Sequence, residues 1–299
     1  MRGRIALLGR PGSPVSAAVA TALAGSGREA VPLDLFAPLA GKPVTLADGR
    51  VRWEGLDLSA ATAILVEVPV FPWPQPGSLE DLLEDGLPAR DRVRRDREGR
   101  SLVASALHVL AQDRPVINPP RVAHEAVAPG VVLDGLAREG VPVVPWRLAA
   151  ADPGPAAWVA DAAGRDAWHA PARPPAEGEP ALLFDTPAPA AVAVLVAGET
   201  AVAARRIAAG PLPADPRDGD PVPADELPER LAALASRAAA RARIPLCAVT
   251  VTAEEVPRVL FLEAGPDLRA WLEAAGHGVA AGIARLLADL ADHHQEDTR

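Results

Sequence analysis

Short apolar runs separated by turn residues dominate the first part of the chain. Ile5–Leu8 is a continuous apolar run and Ala63–Val70 is apolar except at Glu67, a pattern typical of strands that are buried on both faces. Between them, Ser16–Leu23 predicts a helix of small residues and Ala30–Leu35 predicts a second strand. This order of strand, helix and strand predicts a doubly wound parallel sheet. Thr45–Arg52 predicts a hairpin with Asp48-Gly49 as its turn.

The strands predicted in the second half differ from those of the first half in their connections, which include short turns as well as helices. The residue pattern predicts helices over 92–111, 124–139, 227–242, 268–273 and 279–291, and strands over 141–147, 182–185, 192–196, 201–207, 245–252 and 259–263. A polar tail is expected after Ala291. The predicted fold class is therefore α/β in front and α+β behind.

Composition narrows the possible partners. Hydrophobic residues make up 49% of the chain and charged residues 23%, which is ordinary for a globular protein. The formal net charge of −9 argues against a nucleic-acid partner, because nucleic-acid binding needs clustered positive charge. The arginine-rich run Arg90–Glu98 contains acids at helical spacing and predicts a solvated helix face. Arginine has replaced lysine everywhere except at Lys42, a bias typical of a GC-rich genome.

Cys247 and the N-terminus predict the state of the thiol and the cellular location of the protein. As the single cysteine, Cys247 excludes an internal disulfide, and its position in an apolar run predicts a buried, inert thiol. No apolar run reaches the ~18 residues needed to span a bilayer, so no membrane association is expected. Arg10 and Pro11 interrupt the first apolar run, which favours a strand over a signal peptide and predicts a cytoplasmic protein. The loop Gly9–Gly12 is only a fragment of a dinucleotide fingerprint.

Four local motifs accompany this order of elements. They are Arg114–His124 with its Asn-Pro turn, Leu136–Pro145, the paired strands of Leu182–Ile207 with Asp215-Pro216-Arg217 behind them, and Val259–Pro266 leading to Trp271–Gly276. In this order they resemble the ATP-grasp superfamily, closest to the ribosomal-protein glutamate ligases and the microviridin-type (graspetide) peptide ligases. The resemblance covers almost the whole chain. It implies a pre-ATP-grasp domain over 1–118, a shortened central subdomain over 119–180, a C-terminal subdomain over 181–292 that completes a cleft, and a tail over 293–299.

The family's chemistry defines which residues an active site needs. These ligases use ATP and magnesium to convert a carboxylate into an acyl phosphate, which an amine or hydroxyl group then attacks. Phosphate charge is neutralised by cations, and magnesium takes hard oxygen ligands. Carried onto this sequence, the family's charged and metal-binding positions fall on neutral residues. Its two lysines match Ala128 and Ala170, its phosphoryl-binding arginine matches Ala193, and its metal-binding aspartate and asparagine match Thr250 and Gly265.

Glu263, Asp215 and Arg217 remain as candidate catalytic residues, and Glu263 is also the candidate metal ligand. The resemblance therefore suggests a degenerate ATP-grasp protein, a pseudo-ligase without a cofactor. Its expected partner is a peptide or a protein, such as an active ligase paralogue or a second copy of the chain.

Two alternatives stay open. The first is an active peptide-modifying ligase that uses ATP and magnesium in a rearranged nucleotide site. Arg173, Arg205 or Arg206 would then reach the phosphates, and Glu263 with Asp185 or Glu254 would hold the metal. The second is an unrelated α/β binding protein.

Each candidate residue also has a purely structural interpretation. Glu263 could cap a neighbouring helix, and Asp215 with Arg217 could form a surface turn pair. His124 is typical of a helix N-terminus whose side chain is satisfied by the backbone. Trp73 stands between two prolines and suits either an exposed partner anchor or packing.

Overall fold

The chain divides into two compact units, which are described separately. The computed structural model describes residues 3–68, 89–122, 128–149, 158–161, 181–184, 190–207, 219–223 and 226–297. The first unit comprises Met1–Ala123 and Ile283–Arg299, and the second comprises His124–Gly282. The finer division of the chain into three domains and a tail stays a prediction.

A parallel sheet forms the centre of the first unit. The elements in chain order are β1 (Arg4–Gly9), α1 (Pro14–Gly25), β2 (Ala30–Asp34), β3 (Val44–Ala47), β4 (Arg50–Trp53), β5 (Leu56–Asp57), β6 (Ala61–Val66), α2 (Ala89–Asp113) and β7 (Val116–Ile117). Strands β2, β1, β6 and β7 pair in that order, all in parallel. The predicted parallel sheet and the hairpin of β3 with β4 are confirmed.

The side chains of β1 and β6 form the core of this unit. Leu8, Ile64 and Val66 are fully or almost fully buried and belong to one cluster with Val103 and Leu107 of α2. The continuous apolar character of these strands is explained by their burial between neighbouring layers.

Lys42 joins the hairpin to the end of β2. Its Nζ lies 2.9 Å from Oε1 of Glu54 and 3.2 Å from Oδ2 of Asp34. Next to Glu54, the indole of the buried Trp53 donates a hydrogen bond of 2.8 Å to the backbone carbonyl of Asp34. The single lysine of the chain therefore has a structural role in the first unit.

The arginine-rich run in α2 is only partly a solvated face. Arg94 and Glu98 form an exposed pair at i, i+4 spacing, as predicted. Asp96 contradicts the prediction, because its side chain is 2% exposed and both carboxylate oxygens accept from Nε of Arg100 at 2.8–2.9 Å. The Arg100 guanidinium also lies 5.6 Å from the ring centre of Phe36. A helical period alone could not show that Asp96 is buried.

Two antiparallel sheets make up most of the second unit. The elements are α3 (Pro129–Arg138), β8 (Trp146–Ala149), β9 (Trp158–Asp161), β10 (Ala181–Phe184), β11 (Ala191–Ala197), β12 (Thr200–Ile207), β13 (Asp220–Val222), α4 (Glu229–Ala242), β14 (Leu246–Thr252), β15 (Val259–Glu263), α5 (Leu268–Ala275) and α6 (His277–Asp297). The strand orders are β8-β10-β9 and β13-β12-β11-β14-β15. The final helix, α6, begins in the second unit and ends in the first.

Two of the differences from the predicted element boundaries have causes that the structure shows. The strand predicted over 141–147 begins only at Trp146, and Val143 makes an isolated bridge to Val259. Pro142 and Pro145 explain the difference, since neither can donate a backbone hydrogen bond to a ladder. The tail predicted after Ala291 is helical through Asp297.

The contacts of the last helical turns explain why the helix continues. Nη2 of Arg28 donates to Asp292 at 2.6 Å, and Nη1 of Arg114 lies 3.2 Å from Nε2 of His294. Nδ1 of His293 lies 2.7 Å from the carbonyl oxygen of Asp289 one turn earlier. No helix in the described part of the chain is long and apolar enough to cross a membrane.

We predict that Asp96→Ala lowers the free energy of unfolding by about 3–5 kcal/mol, because it leaves the Arg100 guanidinium, 11% exposed, without its partner. Chemical denaturation followed by circular dichroism measures this loss. Glu98→Ala is the matched control on the same helix, because it breaks a pair with the same spacing whose carboxylate is 65% exposed. Equal losses for the two variants would contradict the assignment of Asp96 as a buried ion-pair partner.

Candidate functional site

The register of the five paired strands aligns several of the predicted site positions. Arg205 on β12 lies directly opposite Ala193 on β11, which lies opposite Thr250 on β14. Thr250 in turn lies opposite Phe261 on β15. Residues that pair directly across antiparallel strands project from the same face of the sheet. The positions matched to the phosphoryl-binding arginine and the metal-binding aspartate are therefore neighbours.

This row belongs to the more polar of the two faces of the sheet. Glu263 and Thr252 are each two residues from a member of the row and share its face. The opposite face is aliphatic over the same strands and includes Val192, Val194, Val249, Val251 and Leu262. We call the side that carries Arg205, Ala193, Thr250 and Glu263 the polar face. It is the candidate functional site.

Arg205 is the cation of the polar face. Its residue is 9% exposed, and Nε donates to the carbonyl oxygen of Gly219 at 3.0 Å. Gly219 can approach this closely because it has no side chain: a Cβ there would lie 2.6 Å from the carbonyl oxygen of Arg206. Arg206 is exposed and, as the next residue of the strand, projects from the opposite face. Of the two described arginines proposed to compensate for Ala193, only Arg205 shares its face.

Two threonines on β14 differ in their hydrogen bonding although both are fully buried. Oγ1 of Thr252 accepts from the backbone N–H of Arg258 at 3.0 Å and donates to Oε2 of Glu254 at 3.3 Å. Oγ1 of Thr250 has no hydrogen-bond partner in the described part of the chain. Sequence reasoning identified Thr250 as a lost aspartate, but only the structure shows its unpartnered hydroxyl.

The remaining described candidates lie at element ends. Glu263 is the last residue of β15 and is half-buried, and Gly265 follows it. Glu254 lies in the turn between β14 and β15, where its carboxylate binds Nη2 of Arg258 at 3.0 Å. Ala128 is the N-cap residue of α3 and offers no side-chain hydrogen bond. Seven other candidates lie outside the described residues: Trp73, His124, Ala170, Arg173, Asp185, Asp215 and Arg217.

The oxygen donors of the polar face limit what metal it can hold. Magnesium commonly takes one or two carboxylates and completes its six positions with phosphate oxygens and water. The described residues contain no group of three or more His, Cys, Asp or Glu side chains that could hold a metal ion. Glu263 supplies one carboxylate on this face, which therefore fits a single magnesium ion that is held mainly by phosphates of a ligand. One carboxylate does not fit a pair of ions.

The glycine loop of the first unit carries a cluster that the sequence did not predict. Oγ of Ser13 accepts from the backbone N–H groups of Val15 and Ser16 at 3.1 and 3.3 Å and donates to Oε2 of Glu67 at 2.8 Å. The hydroxyl of Ser16 also donates to Glu67, which is buried. These N–H groups at the start of α1 are the donors that a phosphate would use. Because Ser13 already occupies them, the loop has no free amides of this helix turn for a nucleotide.

Comparison with solved structures identifies the fold. The chain is similar to the ATP-grasp ligase PsnB complexed with a minimal precursor, with a TM-score of 0.70 at 17% identity over 96% of this chain and 98% of that one. It is also similar to the macrocyclase MdnC of Microcystis aeruginosa MRC, bound with the precursor peptide MdnA (TM-score 0.65, 11% identity, 96% and 99% covered).

A third similar structure is the RiPP-associated ATP-grasp ligase of Chryseobacterium gregarium, in complex with ADP and a leader and core peptide. Its TM-score is 0.64 at 12% identity, over 96% of this chain and 97% of that one. No protein-family model matches the sequence, and no curated protein matches it. The chain therefore has the fold of the ATP-grasp ligases. The expected fold class is confirmed, and the idea of an unrelated α/β fold is wrong.

We predict that Cys247 does not react with thiol reagents in the folded chain at any pH between 7 and 10. Burial, and then the negative charge of Glu263, raise the pKa of the thiol far above its ordinary value, so that the reactive thiolate does not form in this range. Titration with a chromogenic disulfide measures the reaction, and the unfolded chain is the control that should react with one equivalent. Rapid modification of the folded chain would show that β14 is not buried.

Proposed function

We propose that this chain is an ATP-dependent ligase that modifies a peptide and uses Arg205 in place of the arginine matched to Ala193. The observation that carries the proposal is that Arg205 lies directly opposite Ala193 and on the same face. The similar solved structures support it further, because they include peptide-modifying ligases bound to precursor peptides and, for PsnB and the Chryseobacterium gregarium ligase, also to ADP. They favour this alternative over the pseudo-ligase expected from the sequence.

The reaction consists of two balanced transfers. An oxygen of a peptide carboxylate attacks the γ-phosphorus of ATP, the bond to the β-phosphate oxygen breaks, and ADP leaves. An amine or hydroxyl group then attacks the carbonyl carbon of the acyl phosphate, loses its proton, and releases phosphate. Arg205 stabilises the negative charge on the transferring phosphoryl group. Magnesium, when bound beside Glu263 and Thr250, would neutralise further phosphate charge.

A pseudo-ligase is the second candidate function, and a specific observation favours it. Ala193 and Thr250 form the centre of the polar face, and neither side chain carries charge. A single buried arginine and one carboxylate supply less charge than the family uses around a triphosphate. In this case the chain would bind a peptide, or a protein partner such as an active ligase or a second copy, without consuming ATP.

We predict that magnesium-ATP raises the thermal unfolding midpoint of the wild-type chain and that Arg205→Ala abolishes most of this rise. A ligand at a hundredfold excess over its Kd stabilises the folded state by about 2.7 kcal/mol. Differential scanning fluorimetry measures the shift, and calorimetric titration gives the Kd. Arg206→Ala removes the same charge from the opposite face and should keep the wild-type shift, which makes it the matched control.

The outcome of this experiment separates the two candidate functions. A wild-type midpoint that does not move with magnesium-ATP, but rises with an acidic precursor-type peptide, would contradict the ligase and support the pseudo-ligase. Equal losses of the shift in Arg205→Ala and Arg206→Ala would instead contradict the role of the polar face. An assay for dehydrated peptide by mass spectrometry, with ATP present and absent, then tests the ligation itself.

A further inference from the structure

The surroundings of Thr250 show no structural role for its hydroxyl group. Thr250 is 0% exposed, and Oγ1 makes no hydrogen bond in the described part of the chain. Leaving a buried hydroxyl unpaired is unfavourable, and such groups in folded proteins are uncommon enough to require an explanation. Valine has nearly the same shape, and valine occupies both neighbouring positions, Val249 and Val251. Packing alone would therefore be satisfied by valine at position 250.

The position of Thr250 relative to Arg205 suggests what its hydroxyl binds. The two residues lie on the strands that flank β11, on the same face, with only the methyl group of Ala193 between them. Two strand spacings separate their backbones by roughly 9–10 Å. Both side chains project from this face, and Nε of Arg205 is bonded in the ligand-free chain to the carbonyl oxygen of Gly219 beside β13. A guanidinium and a hydroxyl donor on one face are a combination that suits an oxyanion, once the guanidinium turns from Gly219 towards Ala193.

We propose that Oγ1 of Thr250 donates a hydrogen bond to an oxyanion oxygen of a ligand that lies over Ala193 and is also held by Arg205. The inference rests on the proposed function, in which that oxyanion is a phosphoryl group of the nucleotide; a peptide carboxylate has the same chemistry. Thr250 is enclosed in the ligand-free chain, so the ligand must displace the atoms that now cover this face. A neutral hydroxyl suits such a site, because an unpaired carboxylate would be far more costly there without a bound cation.

The test compares Thr250→Val with Thr250→Ser and Thr252→Val. Titration calorimetry with magnesium and a non-hydrolysable ATP analogue, and separately with a peptide containing glutamate, gives the Kd for each variant. Thr250→Val should weaken binding of the oxyanion ligand about tenfold while the unfolding midpoint of the free chain stays the same or rises. Thr250→Ser keeps the hydroxyl and should restore binding to near the wild-type Kd.

Thr252→Val is the matched control on the same strand. It removes the acceptor for the N–H of Arg258 and should lower the unfolding midpoint of the free chain, yet leave the Kd unchanged. Loss of affinity for the magnesium-bound ATP analogue alone would identify the oxyanion as a phosphoryl group, and loss for the peptide alone would identify a carboxylate. Both results support the site.

Two outcomes would overturn the inference, and they can be told apart. If the wild-type chain binds the magnesium-bound ATP analogue or the peptide and Thr250→Val binds it equally well, Thr250 does not contact the ligand, while the proposed function is untouched. If the wild-type chain binds neither ligand, the oxyanion site and the proposed ligase are both wrong.

Discussion

The backbone hydrogen-bonded register of β11 with its two neighbours determines the chemistry available to the second unit. It places Arg205, Ala193 and Thr250 in one row. A shift of β12 by one residue would move Arg205 to the aliphatic face and put alanine or the exposed Arg206 in its place. A shift of β14 by one residue would likewise put a valine in the place of Thr250. Both faces of β11 and β14 are buried, so such a shift would exchange valine for alanine or threonine between two packed faces and disturb the packing of both. Packing on the two faces therefore maintains the arrangement of the polar face.

Burial determines which polar groups matter in both units. In the first unit, Asp96 and Glu98 belong to the same helix and have similar partners, but only Asp96 is enclosed. In the second, Thr250 and Thr252 are equally enclosed, and they differ in whether the protein supplies a partner. A buried polar group with an internal partner is explained by the fold. Thr252 is therefore explained by the fold alone, whereas Thr250 is the threonine for which we propose a ligand.

The sequence predicts most elements because their apolar patterns are unambiguous. β15 has the predicted bounds, and the strands β11 and β12 differ from the prediction by one residue at each altered end. It failed where prolines inside an apolar run, or contacts with distant residues, decide the outcome. Prolines delay β8, contacts of Arg28 and Arg114 extend α6, and packing encloses Asp96. Similarly, matching motifs identified Ala193 and Thr250 as positions of a site, but the placement of Arg205 opposite Ala193 depends on strand register.

The loss of charged residues from an ATP-grasp site need not mean the loss of its chemistry. A guanidinium reaches about the same space from β12 as from β11, because adjacent strands lie about 4.8 Å apart and an extended arginine is longer than that. Replacement by alanine at 193 is thus compatible with phosphoryl binding if Arg205 can leave the carbonyl of Gly219 for a ligand. The acceptor in that hydrogen bond is an uncharged backbone carbonyl. A phosphate oxygen is charged and therefore binds a guanidinium more strongly. An oxyanion over Ala193 therefore competes well for Arg205.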